Sequence, residues 1–449
     1  MKLSHLIGAA VAAPAAVCIG RALAARPTAA AHAKIELKND DRAAAYGQKL
    51  AQMVRCETIS SRDHMDLSKF DKFHSLLAEL FPHVHASCEK HVFDGSLLFK
   101  WAGNGEADPI VLMSHQDVVE AGGIWQHEPF SGDIDEDGRV WGRGTVDTKA
   151  SLFCIFTALE ELIESGFVPA GDVYIASSCT EEISGPGAPA TVEYLKSQGV
   201  KPSLVLDEGG MILESPMAGV KGLYAMVGVV EKGYADVKFT ARSNGGHASA
   251  PPPKTPVTTL AKACQSIIKH PFKMHITKPA GEMFDTLARH STFVYKLIFA
   301  NLWCFKPVLN MICISSGGEM NALLRTTVAF TQMQGSSAPN VIPPEASLVS
   351  NIRLNPADNM DAMLAYLNKT VDDDSIEITV LGGMNPSRIS TTDCEGWDLV
   401  SSAVASTWKG CIVSPYLMVQ CSDSRHYGRI SDRVYRFSAM DMTAEERAS

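Results

Sequence analysis

The 449-residue sequence lacks an apolar run as long as the roughly 18 residues that a membrane-spanning helix needs. It also lacks a basic excess, because 40 Lys and Arg stand against 50 Asp and Glu, for a formal net charge of −10. That balance argues against a nucleic-acid-binding surface. With 46% hydrophobic residues the chain is not of a disordered type, and its length suits two or three globular domains.

The eleven cysteines include no CxxC pair and no dense framework. This spacing does not predict a zinc finger or a disulfide scaffold, and most of the thiols are expected to be buried as small apolar side chains. Disulfides stay possible, and their pairing is not assigned. No internal repeat or low-complexity tract follows residue 33.

The N-terminus predicts an export signal over residues 1–33. Lys2 precedes an Ala-rich apolar run, and small-residue cleavage sites follow at Ala22-Leu23-Ala24 and Ala31-His32-Ala33. The signal would direct the protein to the periplasm, the exterior or a lumen, and its cleavage would remove Cys18. The alternatives are an Ala-rich helix or a short membrane anchor that stays attached.

The remaining chain alternates helical and strand patterns, which predicts an α/β fold with a largely parallel sheet and flanking helices. Short apolar runs at 110–114, 173–178 and 203–206 are typical of buried strands. Residues 147–165 predict an amphipathic helix with Asp147 as its N-cap. We expect a first domain formed by 34–223 and 383–449.

Residues 224–382 predict an inserted α+β domain, with strand and helix patterns in the order ββ-α-ββ-α-β from Ala225 onward. The apolar stretch 293–309 is interpreted as a buried helix or an interface, with the wall of an apolar pocket as the third option. Trp303 and Phe305 would permit lipid binding, but core packing is the simpler explanation.

Polar residues suited to metal binding follow three of the apolar strands and one glycine-bearing loop. They are His115, Asp117, Asp147, Glu181, Glu182 and Asp207. Because ligands bind at the carboxyl ends of strands in open α/β sheets, these side chains should meet in one crevice. One imidazole with several carboxylates suits zinc, with cobalt or manganese as substitutes.

Each of these residues also has an ordinary explanation when taken singly. A histidine after a strand is more often a core or rim residue, paired glutamates are usually solvated, and Asp147 could be only a helix cap. Burying so many carboxylates together without a cation, however, would cost several kcal/mol through desolvation and repulsion. The metal site is therefore the preferred interpretation.

Several segments resemble the di-zinc exopeptidases and deacylases, the family of aminoacylase-1, carboxypeptidase G and acetylornithine deacetylase. The matching segments are 114–119, 141–149, 180–182 and 206–210. Segments 125–130 and 421–427 resemble most the branch of the Gly-X carboxypeptidases and the N-fatty-acyl-amino acid hydrolases. The resemblance covers roughly residues 40–449.

The resemblance implies two zinc ions, whose ligands would be His115, Asp147, Glu182 and Asp207. Asp147 would bridge both ions, His115 and Asp207 would complete one site, and Glu182 would join the other. The resemblance also implies that Glu181 is the general base and that Asp117 orients His115.

For the inserted domain, the resemblance implies a lid and dimerisation role. His247 would stabilise the oxyanion, commonly across a dimer interface, while Asn340 and Arg353 would contact the substrate. Arg353 suits bidentate binding of a terminal carboxylate. Without the resemblance, His247 would be taken for an exposed loop residue and Arg353 for a strand-surface charge.

One feature departs from the family pattern. The family takes its last ligand from a histidine near the C-terminus, whereas no histidine follows His426 here. We expect a truncated sequence, with His426 or a water as substitute ligands and one zinc instead of two as the alternative.

The sequence thus predicts a zinc-dependent hydrolase of the amide bond before a C-terminal residue, either a carboxypeptidase or an N-acyl-amino acid hydrolase. It is expected to be a homodimer through the inserted domain, without a nucleic-acid partner. The alternatives are an aminoacylase acting on small N-acyl amino acids and an inactive dimerising relative that binds without cleaving.

Overall fold

A computed structural model describes residues 3–27, 42–217, 219–443 and 446, with the side chains from residue 14 onward. The helices are α1 (Leu3–Ala24), α2 (Ala43–Val54), α3 (Leu67–Leu80), α4 (Pro82–Ser87), α5 (Ala150–Glu164), α6 (Gly187–Ser197), α7 (Pro256–Lys269), α8 (Lys278–Arg289), α9 (Phe293–Phe299), α10 (Leu302–Ser316), α11 (Gly318–Leu324), α12 (Met360–Val371) and α13 (Glu395–Thr407). Of the two proposed cleavage sites, Ala31-His32-Ala33 lies outside the described residues.

The strands are β1 (Glu89–Phe93), β2 (Ser96–Trp101), β3 (Ile110–Met113), β4 (Asp133–Ile134), β5 (Val140–Trp141), β6 (Val173–Ser177), β7 (Leu204–Glu214), β8 (Leu223–Glu231), β9 (Gly233–Arg242), β10 (Gly246–His247), β11 (Thr327–Gln334), β12 (Val341–Ile342), β13 (Glu345–Leu354), β14 (Ile376–Met384), β15 (Ile412–Met418) and β16 (Val434–Met442).

The chain forms two compact units. We call the first the inserted unit, which comprises Met1–Thr28, Val230–Ser387 and Pro415–Cys421. We call the second the main unit, which comprises Ala29–Val229, Arg388–Ser414 and Ser422–Ser449.

The main unit is built on an eight-stranded sheet of order β1-β2-β6-β3-β7-β16-β8-β15. Its centre is parallel, because β3 pairs in parallel with β6 and β7, and β16 pairs in parallel with β7. The β1–β2 hairpin and β8 add antiparallel flanks. The predicted α/β class with a largely parallel sheet is confirmed.

Helices cover both faces of this sheet, as buried apolar strands require. On one face α5 packs with α3 and α4, and Phe156 lies 5.2 Å from the ring of Phe81 and 5.4 Å from that of Phe99, centroid to centroid. On the other, α6 packs against β3 and β6. The predicted N-cap is wrong: α5 begins at Ala150, and Asp147 has non-helical dihedral angles in the preceding loop.

The inserted unit contains an antiparallel sheet of order β11-β13-β9-β14. The buried residues of α7 and α12 pack against it, with Leu260, Met363 and Phe239 in one apolar cluster. The sequence pattern assigned the strand at 225–231 to this domain, but that assignment is wrong. This strand, β8, pairs with β7 and β16 of the large sheet.

The apolar stretch 293–309 forms two helices instead of one. Among the described residues no single helix is long and apolar enough to cross a membrane, and α9 and α10 meet that criterion only as a pair bent by 104°. The expectation of a buried helix is also wrong for α10, since only Leu309 and Cys313 of that helix are buried.

The packing of α5 predicts a large cost for Phe156→Ala. The side chain is fully buried among aromatic rings, so its truncation should lower the free energy of unfolding by about 3–5 kcal/mol in urea denaturation. The control Val168→Ala, at a side chain 62% exposed, should change it by less than about 0.5 kcal/mol. Equal effects of the two substitutions would contradict this packing.

Candidate metal centre

His115 is the second residue after β3 and is buried. Its Nδ1 atom is 2.9 Å from the backbone oxygen of Asp117. A carbonyl only accepts hydrogen bonds, so this contact assigns the ring proton to Nδ1. In the neutral ring, Nε2 then has the lone pair and can bind a cation.

Three carboxylates surround Nε2 of His115. The nearest oxygens are Asp147 Oδ1 at 3.0 Å, Glu208 Oε1 at 3.3 Å and Glu181 Oε2 at 4.0 Å. These residues belong to the loop before α5, to β7 and to the loop after β6, as expected for side chains meeting at the carboxyl end of a parallel sheet.

Asp117 organises a second part of the centre. Its fully buried carboxylate lies 3.5 Å from Nδ1 of His115. Its two oxygens also accept hydrogen bonds from the backbone N–H groups of Glu181 and Glu182, each at 3.1 Å. One carboxylate therefore fixes the loop that presents both glutamates, a contact that the sequence did not predict.

Lys149 anchors the loop that contains Asp147. The buried ammonium group donates hydrogen bonds to the backbone oxygens of Met53 at 3.1 Å and Cys56 at 2.6 Å. Burial lowers the pKa of Lys149 to about 8. At Gly144 (φ 82°) a Cβ atom would lie 2.4 Å from Val118, so this turn requires glycine.

Asp207 and Asp423 form a further acidic pair in the main unit. Asp207 accepts a hydrogen bond from the backbone N–H of Ser424 at 2.9 Å. Asp423 is buried, and its Oδ2 atom has no hydrogen-bond partner in the described part of the chain. Burial and the charges of Asp207 and Asp117 raise the pKa of Asp423 well above its usual value.

The pKa values of the centre reflect a shortage of positive charge. Burial raises the pKa of Glu181 to about 10 and that of Glu182 to about 7, with neighbouring carboxylates adding to both shifts. Burial alone would lower the pKa of His115, but Glu208, Asp117 and Asp147 raise it well above its usual value. A cation would relieve this repulsion.

The donors present fit a metal ion. Ligand atoms of His115, Asp147 and Glu182 lie within 4.8 Å of one another, and so do those of His115, Glu181 and Glu208. Imidazole nitrogen and carboxylate oxygen are typical zinc donors, and the unpartnered Asp423 oxygen adds a further acceptor nearby. Glu208 and Asp423 were missed by sequence reasoning, although both lie within segments that it quoted.

The inserted unit contains the other predicted site residues. His247 on β10 pairs with Val341 on β12, and the backbone oxygen of Asn340 accepts a hydrogen bond from Ala248 N–H at 2.9 Å. The structure thus brings His247 and Asn340 together on one two-stranded ribbon.

Arg353 lies on β13 of the same unit. Its Nε donates to Asn351 Oδ1 at 3.0 Å, its Nη1 to the Cys421 sulfur at 3.6 Å, and its guanidinium lies 5.9 Å from the centroid of the Tyr234 ring.

His426, the substitute ligand considered above, has its Nδ1 atom 3.2 Å from Nη2 of Arg429. In the part of the chain that the structure describes, it belongs to neither of the two ligand groups around His115.

Comparisons with known proteins show the family to which the chain is similar. The model of "Peptidase family M20/M25/M40" matches residues 111–442. The chain is 34% identical over 408 residues to the N-fatty-acyl-amino acid synthase/hydrolase PM20D1 of Xenopus tropicalis, covering 89% of this chain and 79% of that protein. It is 27% identical over 446 residues to carboxypeptidase S of Saccharomyces cerevisiae, covering 87% and 77%.

Two solved structures share the fold. The M20 family metallo-carboxypeptidase Sso-CP2 from Sulfolobus solfataricus superposes with a TM-score of 0.62 at 16% identity, covering 89% of this chain and 91% of that one. Human carnosine dipeptidase 1 gives a TM-score of 0.60 at 13% identity, with 90% of each chain covered.

The double role of Asp117 predicts the effect of Asp117→Asn. The amide can accept only one of the two backbone hydrogen bonds, so the loop with Glu181 and Glu182 should loosen and zinc affinity should fall about 10- to 100-fold. Competition with a chromophoric chelator measures this affinity. The exposed control Asp63→Asn should leave it unchanged, and unchanged affinity in both variants would contradict the role of Asp117.

Proposed function

This chain belongs to peptidase family M20/M25/M40 and is a metal-dependent peptidase or amidohydrolase, and we propose that it cleaves the amide bond before a C-terminal residue with a free carboxylate. The observation that supports this proposal most is the position of Glu181, whose carboxylate faces Nε2 of His115 at 4.0 Å beside Glu208. We further propose zinc as the metal, two ions per chain, with the ligands His115, Asp147, Glu182 and Asp207, and with Glu208 adjacent.

Zinc bound there would polarise the scissile carbonyl and lower the pKa of a nearby water. Glu181 then has two tasks. Its carboxylate takes a proton from the water as the water oxygen attacks the carbonyl carbon, and it returns that proton to the amine nitrogen as the C–N bond breaks. Burial favours the protonated carboxyl, which suits the second task, and a cation bound at the centre would favour the carboxylate that the first task needs.

The hydrogen bonds of the His247 ring assign a tautomer that suits the stabilisation of an oxyanion. Its Nδ1 atom accepts the backbone N–H of Ser249 at 3.2 Å, so the neutral ring has its proton on Nε2. An Nε2–H group can donate to the oxygen on which negative charge develops. We propose this role for His247, with Asn340 on the same ribbon as a substrate contact.

Arg353 is proposed to bind the substrate carboxylate. Its Nε and Nη1 groups contact Asn351 and Cys421, which hold the guanidinium plane in place. A planar, pre-positioned guanidinium can bind a carboxylate through two parallel hydrogen bonds.

N-acyl amino acids and peptides both present such a carboxylate next to an amide, which is consistent with the named relatives. The N-fatty-acyl-amino acid hydrolase relative, at 34% identity, favours N-acyl amino acids as the first substrates to screen.

We also propose export by residues 1–33 and a homodimer formed through the inserted unit. The second candidate is an aminoacylase of small N-acyl groups, which a comparison of N-acetyl with N-oleoyl amino acids would distinguish.

Substitution of the general base tests the mechanism. Glu181→Gln should retain its zinc but lower kcat by at least about 100-fold, since the amide cannot accept the proton of the attacking water. Elemental analysis and turnover of an N-acyl amino acid measure the two properties. The exposed control Glu79→Gln should behave like the unmodified chain, and near-normal turnover of Glu181→Gln would refute the assignment.

Substitution of Arg353 tests the substrate carboxylate. Arg353→Lys should lower kcat/KM about 10- to 100-fold, because a bidentate charge-assisted contact contributes about 1.5–3 kcal/mol. The loss should appear mainly in KM, and the same substrate with an amidated carboxyl should be equally poor for both enzymes. Arg242→Lys, at an exposed arginine of the same sheet, is the matched control. Equal loss on the amidated substrate would contradict carboxylate binding.

A further inference from the structure

The bent helix pair α9–α10 exposes many large apolar side chains to solvent. Seven of them are between 46% and 65% exposed: Phe293, Val294, Trp303, Val308, Met311, Ile312 and Ile314. Several large apolar side chains exposed on one helix pair indicate an interaction site more often than ordinary surface does. This exposure contradicts the packing explanation for Trp303.

The helix pair itself has only positive formal charges. Between residues 286 and 318 the sequence contains no Asp or Glu, whereas Lys296 and Lys306 lie on the two helices. The chain as a whole has 50 acidic residues and a net charge of −10, so this acid-free segment is a local reversal of charge.

A groove of about 580 Å³ lies beside α10 and is also free of acidic residues. Trp303, Lys306 and Ile314 line one side of it, and Lys273 and Arg325 also line it. Arg325 is only 2% exposed, and its Nε atom has no hydrogen-bond partner in the described part of the chain. An anionic group in this groove would meet Lys273 and Lys306, with the buried Arg325 guanidinium adding positive charge behind them.

In the uncleaved chain, which retains the proposed export signal, the N-terminal helix extends this surface. Arg21 donates to the backbone oxygen of Ala300 at 3.0 Å, and the buried amide of Asn301 donates to the backbone oxygen of Cys18 at 2.9 Å. Both contacts are at the bend between α9 and α10. The described side chains of α1 add three exposed apolar residues, Val17, Ile19 and Leu23, and no acidic residue.

From these observations we infer that α9 and α10, extended by α1 in the uncleaved chain, bind the surface of an anionic phospholipid bilayer, with a headgroup phosphate in the groove beside Trp303. Helices that lie in a membrane interface combine exposed apolar faces with Lys and Arg, and tryptophan is enriched at that depth. The 15 residues of α10 extend only about 22 Å, which is shorter than a bilayer core and suits an interfacial position.

A second copy of the chain fits this surface less well. A twofold interface places the same patch on both sides, so it would bring together two surfaces of the same positive charge. Anionic lipid instead supplies the opposite charge. The inference is independent of the proposed reaction, since none of these residues is assigned to the catalytic centre.

Sedimentation with vesicles tests the inference on the full chain. We expect binding to phosphatidylcholine vesicles that contain phosphatidylglycerol, weaker binding to pure phosphatidylcholine, and release by high salt. Met311→Glu should abolish binding, whereas Met333→Glu, at an equally exposed methionine on β11, should not. Both variants should hydrolyse a water-soluble substrate normally.

Substitution of Lys306 tests the contribution of positive charge to vesicle binding. Lys306→Gln should weaken binding to anionic vesicles about fivefold, since a basic side chain near such a surface contributes about 1 kcal/mol, while Lys369→Gln on α12 should have no effect. Free inorganic phosphate should not displace the protein from the vesicles at concentrations that leave the vesicles intact. This distinguishes a lipid headgroup from free phosphate as the ligand. Three results would overturn the inference: no vesicle binding, binding unaffected by Met311→Glu, or a dimer that this variant dissociates.

Discussion

The repulsion among the carboxylates that surround Nε2 of His115 is the constraint on which the rest of the centre depends. Oxygens of Asp147, Glu208 and Glu181 lie within 4.0 Å of one buried ring. Burial and the neighbouring carboxylates raise the pKa of Glu181, the hydrogen bond from His115 lowers that of Asp147, and the surrounding carboxylates raise that of the imidazole. A bound cation would relieve the repulsion among the carboxylates. The hydrogen bonds of Asp117 to the glutamate loop and of Lys149 to the chain before it keep these groups in place.

Much of this centre could be predicted from the sequence. Apolar runs followed by His115, Glu181 and Asp207 indicate strand ends, and strand ends of a parallel sheet meet at one edge. The sequence analysis named Asp207 and not Glu208 as the ligand from this strand, although neighbouring residues of a strand point to opposite faces and the pattern does not show which one faces the centre. The structure puts Glu208 near His115 and Asp207 on the backbone N–H of Ser424.

The errors in the fold have the same physical origin, since local patterns do not specify partners. The run 225–231 is apolar on both faces and was grouped with the strands that follow it, yet it pairs with β7. The stretch 293–309 has the composition of a core helix, and only the structure shows that it bends near Asn301 and leaves Trp303 exposed. The Asp94-Gly95 pair forms the turn between β1 and β2, and such an Asp-Gly pair predicts a β-hairpin from the sequence alone. This hairpin was not predicted.

We propose that these carboxylates and His115 form a metal centre that performs hydrolysis. The most direct measurement is elemental analysis of the purified full chain after dialysis, compared with His115→Ala. We predict about two zinc ions per chain in the unmodified protein and a clear loss in the variant, because His115 supplies the imidazole ligand. Equal metal content in both proteins, or none in either, would contradict the account.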